Sequence, residues 1–256
     1  MKKTIAMVLV LMMVLCSAAF AETFKMGIDA EYPPYSYMDE NGDYTGYDVE
    51  MCTKVCEILG WDLEIVPINW DTKLISLDAG EIDCIWSGLT IDVLDPEAYS
   101  ISFAYADNSQ MILVKSDSGI ETLADLAGKV VGVQLGTSAD LLLQGDQAEL
   151  AATFEGGEPQ RFENYNVCFT ELAAGSIDAI AIDYPVAAAK IAQYGDGYKM
   201  LDESIASEEY GICFRKADTE MMEKVEGAFM QLVEDGTYIS LAEKYGLETS
   251  SMCLAK

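Results

Sequence analysis

Two similar stretches, LDAGEIDCI (residues 77–85) and LAAGSIDAI (residues 172–180), decide the fold of this 256-residue chain. Each reads as the end of a helix, a glycine, an acidic turn and a short apolar run that is typical of a buried strand. The same helix-to-strand unit therefore occurs in both halves of the sequence. This repetition predicts two α/β lobes of similar construction.

The surrounding sequence extends the alternation of strand and helix. Apolar runs separated by helical periodicity favour parallel sheets that are covered by helices. The apolar runs predict strands at 24–28, 63–68, 82–86, 130–134 and 177–182, and the three-and-four spacing of apolar residues predicts helices at 47–59, 166–174, 184–194 and 219–234.

The first 21 residues have the pattern of a secretory signal peptide. Lys2 and Lys3 precede an apolar run too short to span a bilayer, and Ala19-Phe20-Ala21 fits signal-peptidase cleavage after Ala21. An alternative interpretation makes Cys16 the acylated residue of a lipoprotein, although the large Leu15 stands before it where a small residue is wanted. We therefore expect a periplasmic or extracellular protein, and about 235 residues after cleavage suit one large or two smaller domains.

Composition excludes several classes of function. The chain has 44 acidic and 15 basic residues, which argues against nucleic acid and anionic membranes as partners. It has no histidine, the commonest general base and metal ligand, so we expect neither an enzyme nor a metal or cofactor site. Six cysteines remain after cleavage, and their places in apolar runs and on one helix favour mostly free thiols.

At this point the sequence resembles a known family, the polar amino-acid-binding proteins of bacterial ABC importers, or family 3 solute-binding proteins. Five motifs in the right order carry the resemblance: residues 27–51, 70–91, 109–140, 172–188 and 210–225. The resemblance implies a two-lobed, type II periplasmic-binding-protein fold with two hinge crossings, expected near 105–110 and 208–211. We expect one lobe from 22–108 with 209–256, and the other from 109–208.

The resemblance also implies the function. A monomer without a cofactor would capture a small polar solute, an amino acid or a related amine, between its lobes and deliver it to the membrane subunits of an ABC permease. Three alternatives stay open: a binder of small amines or cations without carboxylate recognition, a ligand-sensing domain, and a dehydratase-like enzyme on the same fold.

The implied ligand contacts follow the ends of predicted strands, where open α/β sheets bind ligands. Tyr32 and Trp70 match the aromatic pair that sandwiches the ligand, whereas Trp86, inside a strand, is expected in the core. The polar positions that match the family are Asp29, Ser87, Gly88, Thr90, Gln134, Thr137, Ser138 and Asp183. Helix capping is an alternative role for both Ser138 and Asp183.

One position departs from the family pattern. The family places an arginine shortly after the Thr90-Ile91 step to hold a carboxylate, but this chain has Asp95 there. The chain has only two arginines, Arg161 and Arg215, and both belong to other motifs. Three explanations remain. The ligand lacks a carboxylate and is a small amine or cation that contacts Asp29, Asp95 and Asp183, which makes Asp95 a predicted ligand-binding residue. Alternatively, the carboxylate meets the helix start at 137–138 with Lys73 as a charge partner, or Asp95 turns to solvent.

Overall fold

The computed structural model describes residues 22–255. The predicted signal peptide, its cleavage site and Cys16 lie outside these residues. Within 22–255, no helix has the length and apolar character needed to cross a membrane.

The described chain alternates strands and helices as the sequence predicts. The strands are β1 Thr23–Ile28, β2 Glu31–Tyr32, β3 Ser36–Met38, β4 Tyr44–Thr45, β5 Asp62–Pro67, β6 Cys84–Thr90, β7 Tyr99–Ile101, β8 Ala106–Lys115, β9 Val131–Gln134, β10 Gln160–Phe162, β11 Ala179–Asp183, β12 Tyr198–Met200 and β13 Ala206–Arg215. The helices are α1 Tyr47–Leu59, α2 Lys73–Asp78, α3 Ser138–Gln144, α4 Ala148–Ala151, α5 Tyr165–Ala174, α6 Tyr184–Tyr194, α7 Thr219–Glu234 and α8 Thr237–Lys244.

Two parallel arrangements of strands form the centres of two lobes. In the first lobe, β1 pairs in parallel with both β5 and β6. In the second lobe, β9 pairs in parallel with both β10 and β11. Helices pack on each arrangement, so the predicted two-lobed α/β fold with mostly parallel sheets is confirmed.

Two long antiparallel strands, β8 and β13, join the lobes. They pair with each other from Ala106 opposite Tyr210 to Gln110 opposite Ala206. Beyond this stretch β8 pairs with β11 of the second lobe, and β13 pairs with β6 of the first. The proposed lobe boundaries, after 108 and after 208, fall inside these two strands.

The core takes its residues from the faces that the periodicity indicates. On α1, Met51, Cys52, Val55 and Cys56 are buried, and Gly60 ends the helix in the left-handed conformation with a φ of 69°. Trp86 is fully buried against Tyr105 and Phe229, as expected of a core residue. The six cysteines at the described positions 52, 56, 84, 168, 213 and 253 are free thiols.

Strand β6 differs from the sequence-based prediction. It was predicted at 82–86, but it runs from Cys84 to Thr90, because Leu89 and Thr90 pair with Gly211 and Tyr210 of β13. Ser87, Gly88 and Thr90 therefore lie within a strand instead of in the loop that follows it. Pairing with β13 fixes the backbone at Thr90, and the Gly88 N–H is held by the Asp48 carboxylate.

Candidate functional site

A cavity of about 90 Å³ lies between the two lobes. It is found where β6, β9 and β11 end, the edge at which open α/β sheets bind ligands. Its lining residues are Tyr32, Trp70, Lys73, Leu74, Gly88, Leu89, Thr90, Val93, Leu94, Gly136, Thr137, Ser138, Leu141 and Asp183. The structure thus brings seven of the eleven predicted site residues to one cavity: Tyr32, Trp70, Gly88, Thr90, Thr137, Ser138 and Asp183.

Tyr32 and Trp70 supply the aromatic walls. The Tyr32 hydroxyl shares a 2.7 Å hydrogen bond with the Tyr210 hydroxyl, which fixes its ring at the cleft. The Lys73 ammonium lies 4.8 Å from the Trp70 ring centroid, within the range of a cation–π contact. Tyr32 is 5% exposed and Trp70 is 8% exposed, but both rings line the cavity, so neither is only a core residue.

Gly88 brings the backbone of β6 against Tyr32. Its φ of 53° is left-handed, and a Cβ here would lie 2.5 Å from Tyr32 Cε1. The Gly88 N–H donates to Asp48 Oδ2 over 2.7 Å, and the Tyr105 hydroxyl donates to the same oxygen over 2.8 Å. Burial raises the pKa of the Asp48 carboxyl to about 7, although both of these hydrogen bonds favour its charged form. The left-handed φ of residue 88 and the close approach of Tyr32 both require a glycine at this position.

Asp183, the last residue of β11, has an extensive set of donors. Its Oδ1 accepts hydrogen bonds from the side chains of Asn108, Gln110 and Tyr210, and its Oδ2 accepts one from the Tyr165 hydroxyl over 2.9 Å. It precedes α6 without making a side-chain cap for that helix among the described contacts. The capping interpretation of Asp183 is therefore wrong, and its carboxylate faces the cleft.

Thr90 and Ser138 meet a third acidic residue, Glu208 of β13. Thr90 Oγ1 donates to Glu208 Oε1 over 2.8 Å, and Ser138 Oγ donates to the same oxygen over 3.1 Å. Ser138 is the first residue of α3, and the cap of that helix is Thr137, whose hydroxyl accepts from the Asp140 N–H. The alternative role of Ser138 as the helix cap is therefore wrong, because its hydroxyl is directed to Glu208.

Asp29, Ser87 and Gln134 lie behind the cavity walls. Gln134 Nε2 of the second lobe donates to Asp29 Oδ2 of the first over 2.7 Å. Ser87 Oγ accepts the Asp29 N–H over 3.1 Å and also bonds with Ser36 Oγ. Burial raises the pKa of the Asp29 carboxyl. These three residues connect the two lobes and fix the end of β1. None of them belongs to the cavity lining that residues 22–255 form.

Asp95 is the predicted residue that the structure removes from the site. It is exposed, and its carboxylate accepts the N–H of Glu97 in a local turn. The neighbouring Asp92 carboxylate accepts the Glu209 N–H, which ties the loop to the hinge strand. Val93 and Leu94 of the same loop face the cavity instead. The prediction that Asp95 contacts the ligand is therefore wrong. The third explanation, in which Asp95 turns to solvent, describes its position.

Among the residues that the sequence did not predict are Asn108, Gln110 and Glu208, three polar residues beside the cavity that hydrogen-bond to Asp183 or Ser138. All three lie on the hinge strands and are buried, with exposed fractions of 6%, 0% and 7%. Their polar segments carry no local signal of an inward face, because it is the pairing of β8 with β13 at the hinge that buries them. Burial, with the charge of Asp183 second, raises the pKa of the Glu208 carboxyl to about 7.

Sequence and structure comparisons agree with this geometry. Residues 24–248 match the family of bacterial extracellular solute-binding proteins, family 3. The lysine/arginine/ornithine-binding periplasmic protein of Escherichia coli is 31% identical over 242 residues, which cover 89% of each chain. An ABC uptake transporter substrate-binding protein from Streptococcus pneumoniae, solved with bound histidine, has a TM-score of 0.84 at 28% identity, over 87% of this chain and 92% of that one.

A further solved structure links the fold to catalysis. The ancestral amino acid-binding protein AncCDT-1, a precursor of cyclohexadienyl dehydratase, has a TM-score of 0.78 at 33% identity, over 87% of this chain and 95% of that one. The family match covers almost all of the described residues. The chain belongs to the bacterial extracellular solute-binding proteins, family 3.

Proposed function

We propose that this protein captures an amino acid between its two lobes and delivers it to the membrane subunits of an ABC importer. The observation that carries the proposal is that one cavity is lined by a carboxylate, Asp183, an ammonium group, Lys73, and two aromatic rings. A zwitterion presents the complementary pair of charges. The names of the relatives support the same ligand class, since they bind lysine, arginine, ornithine or histidine.

The α-ammonium group of the ligand would bind at Asp183. This carboxylate is only 3% exposed, and tyrosine hydroxyls and amide groups hold it in place. A buried carboxylate oriented in this way attracts an ammonium more strongly than an exposed one, because water screens it less.

The α-carboxylate would bind where the arginine of the family is replaced. Lys73 lines the cavity beside Thr137 and Ser138 at the start of α3. The first N–H groups of a helix have no partner within the helix, so they can donate to a carboxylate. Burial lowers the pKa of Lys73 to about 8, so the group remains mostly protonated at neutral pH. Lys73 would thus supply the positive charge that Asp95 lacks.

The remaining wall is apolar and would contact the carbon atoms of the ligand. Leu74, Val93 and Leu94 come from the first lobe, and Leu141 comes from the second. Val93 and Leu141 line the cavity and are 45% and 46% exposed. An amino acid side chain between Tyr32 and Trp70 would cover them.

The protein would bind its ligand by closing the hinge. At about 90 Å³ the cavity is smaller than typical ligand pockets of about 300–1,000 Å³, and contacts such as Lys73 Nζ to Gly136 O and Asn166 Nδ2 to Glu31 Oε2 already join the lobes. Entry therefore requires the lobes to separate about β8 and β13. We further propose export with cleavage after Ala21 or, as the alternative, lipid attachment at Cys16, and a monomer that docks on its permease.

We assign the protein a binding role and no catalytic one. The family and the relatives are binding proteins, and the acids at the cleft are held by hydrogen bonds that suit recognition. A thermal-shift screen of the twenty standard L-amino acids, each beside the amine that lacks its carboxylate, tests the proposal. We expect a dose-dependent stabilisation by at least one amino acid and a smaller one by its amine. Stabilisation by amines alone, or by neither set, would refute it.

A further inference from the structure

Two carboxylates at the cleft, Asp183 and Glu208, share the same donors. Asn108 Nδ2 donates to Asp183 Oδ1 over 2.8 Å and to Glu208 Oε1 over 2.6 Å. Gln110 Nε2 likewise donates to both oxygens. The two carboxylates therefore flank one pair of amide nitrogens, and their accepting oxygens are within reach of a single small cation.

We infer that Glu208 is a further ligand-binding residue, which together with Asp183 receives the ammonium group of the amino acid. The inference rests on the proposed function, because it assumes that the ligand of the cleft carries such a group. It gives Glu208, a residue of the hinge strand β13, a direct contact with the ligand.

The amide groups between the two acids provide an independent indication. Within residues 22–255, Asn108 Oδ1 and Gln110 Oε1 are buried acceptors without a hydrogen-bond donor. Such atoms are costly to leave unpaired, so they indicate a donor that arrives from elsewhere. An ammonium carries three N–H donors. Near the two amides its three N–H groups would donate to both carboxylates and to one of the two amide oxygens.

The charges around Glu208 make a cation the appropriate occupant. Asp183 faces it from β11, and Asp92, Asp107 and Glu209 line one further pocket together with Glu208 itself. The cation that lines the adjoining cavity is Lys73, whose ammonium donates to the carbonyl oxygens of Trp70 and Gly136. In the unliganded cleft, burial and the charge of Asp183 raise the pKa of Glu208 to about 7, so its carboxyl is partly protonated at neutral pH.

Binding would then exchange a proton for the ammonium. The O–H bond of the Glu208 carboxyl breaks, the proton passes to the buffer, and the resulting carboxylate pairs with the ammonium group. The release should be larger at pH 6 than at pH 8, because the Glu208 carboxyl, with a pKa of about 7, is protonated to a greater extent at the lower pH. Uptake of a proton by Lys73, whose pKa is about 8, on binding the ligand carboxylate adds to this difference.

A purely structural role for Glu208 predicts a different outcome. Its Oε1 accepts from Thr90 of the first lobe and Ser138 of the second, so it could serve only to join the lobes. The variant Glu208→Gln separates the two roles, because its amide oxygen can still accept from both hydroxyls while the charge and the proton are lost. Glu209→Gln is the matched control, since Glu209 is the exposed neighbour on the same strand.

The test is isothermal titration calorimetry in buffers of different ionisation enthalpy, which counts the protons released per bound amino acid. The probe is the standard L-amino acid that stabilises the wild type most. We expect the pH-dependent proton release above for the wild type and Glu209→Gln, and for Glu208→Gln no release with about tenfold weaker binding.

Each result has a separate meaning. Equal proton release and affinity in Glu208→Gln and the wild type overturn the role of Glu208 and leave the proposed function standing. Proton release by the wild type that does not vary between pH 6 and pH 8 overturns it as well, even if the variant does not fold. A wild type that binds none of the twenty amino acids refutes the proposed function itself.

Discussion

The ammonium group of Lys73 donates a 2.7 Å hydrogen bond to the carbonyl oxygen of Gly136 across the cleft. Lys73 belongs to the first lobe and Gly136 follows β9 of the second, so the contact exists only when the lobes meet. A second hydrogen bond goes to the Trp70 carbonyl oxygen over 3.2 Å. An ammonium has three protons, so one remains for a ligand in the cavity that Lys73 lines.

Replacing Lys73 by methionine should weaken the binding of amino acids about tenfold or more, because the countercharge of the carboxylate is lost. The affinity of amines without a carboxylate should stay within about twofold of wild type. Calorimetric titration of both ligands measures the difference. Lys54→Met, which removes a lysine paired with Glu57 on α1, is the control. Equal losses for amino acid and amine would contradict the assignment.

Replacing Trp70 by alanine should reduce ligand affinity by about 2 kcal/mol, or roughly thirtyfold, because one face of the ligand loses its aromatic contact. Trp70→Phe keeps a ring in the same place and should lose much less. Trp70 also packs in a small cluster with Leu77 and Leu89, so circular dichroism must first show that both variants are folded. Unchanged affinity in the folded Trp70→Ala variant would remove Trp70 from the site.

Replacing Gly88 by alanine should lower stability by about 1–3 kcal/mol and also weaken ligand binding. The new methyl group would meet Tyr32 Cε1 at 2.5 Å on a backbone with a φ of 53°. Gly42→Ala is a matched control, because its φ is 88° but its Cβ would meet no heavy atom of the described residues within 4 Å. Chemical denaturation of both variants compares them. A Gly88→Ala variant as stable as Gly42→Ala would show that Tyr32 is not held against β6.

The buried Asp48 should make stability fall as the pH rises from about 4 to 7. Its pKa is about 7 in the folded protein against 3.8 for an unperturbed group, so in this range the folded state holds the proton that the unfolded state has lost. The contribution to the slope is at most about 1.4 kcal/mol per pH unit. Asp48→Asn, whose amide oxygen can still accept the Gly88 N–H, should have a less steep dependence. Parallel denaturation curves at pH 4.5, 6 and 7 for both proteins would contradict this origin.

The sequence predicted the fold because local pattern specifies the strands and helices at the centres of the two lobes. The periodicity of 47–59 and the apolar run at 24–28 agree with α1 and β1 to within a residue. The end of β6 could not be predicted in this way. Thr90 belongs to the strand only because Tyr210, distant in the sequence, pairs with it.

The site was predicted in part for the same reason. Tyr32, Trp70 and Asp183 follow strand ends, which a local pattern reveals. Asn108 and Glu208 lie in polar segments of the hinge strands, where sequence periodicity alone indicates solvent. Only the crossing of β8 and β13 turns these side chains into the cleft. The prediction for Asp95 was wrong for the opposite reason. Asp95 aligns with the arginine of the family, but a local turn directs its side chain outward.

Asp183 is the residue on which the account depends most, because it would hold the charged group that all amino acids share. Calorimetric titration of Asp183→Asn against the wild type, with the best-binding standard L-amino acid, tests the account most directly. We predict at least about a hundredfold loss of affinity, since the neutral amide cannot pair with the ammonium. Asp202→Asn, an exposed acid of the second lobe, should bind like the wild type. A folded Asp183→Asn variant with wild-type affinity would contradict the account.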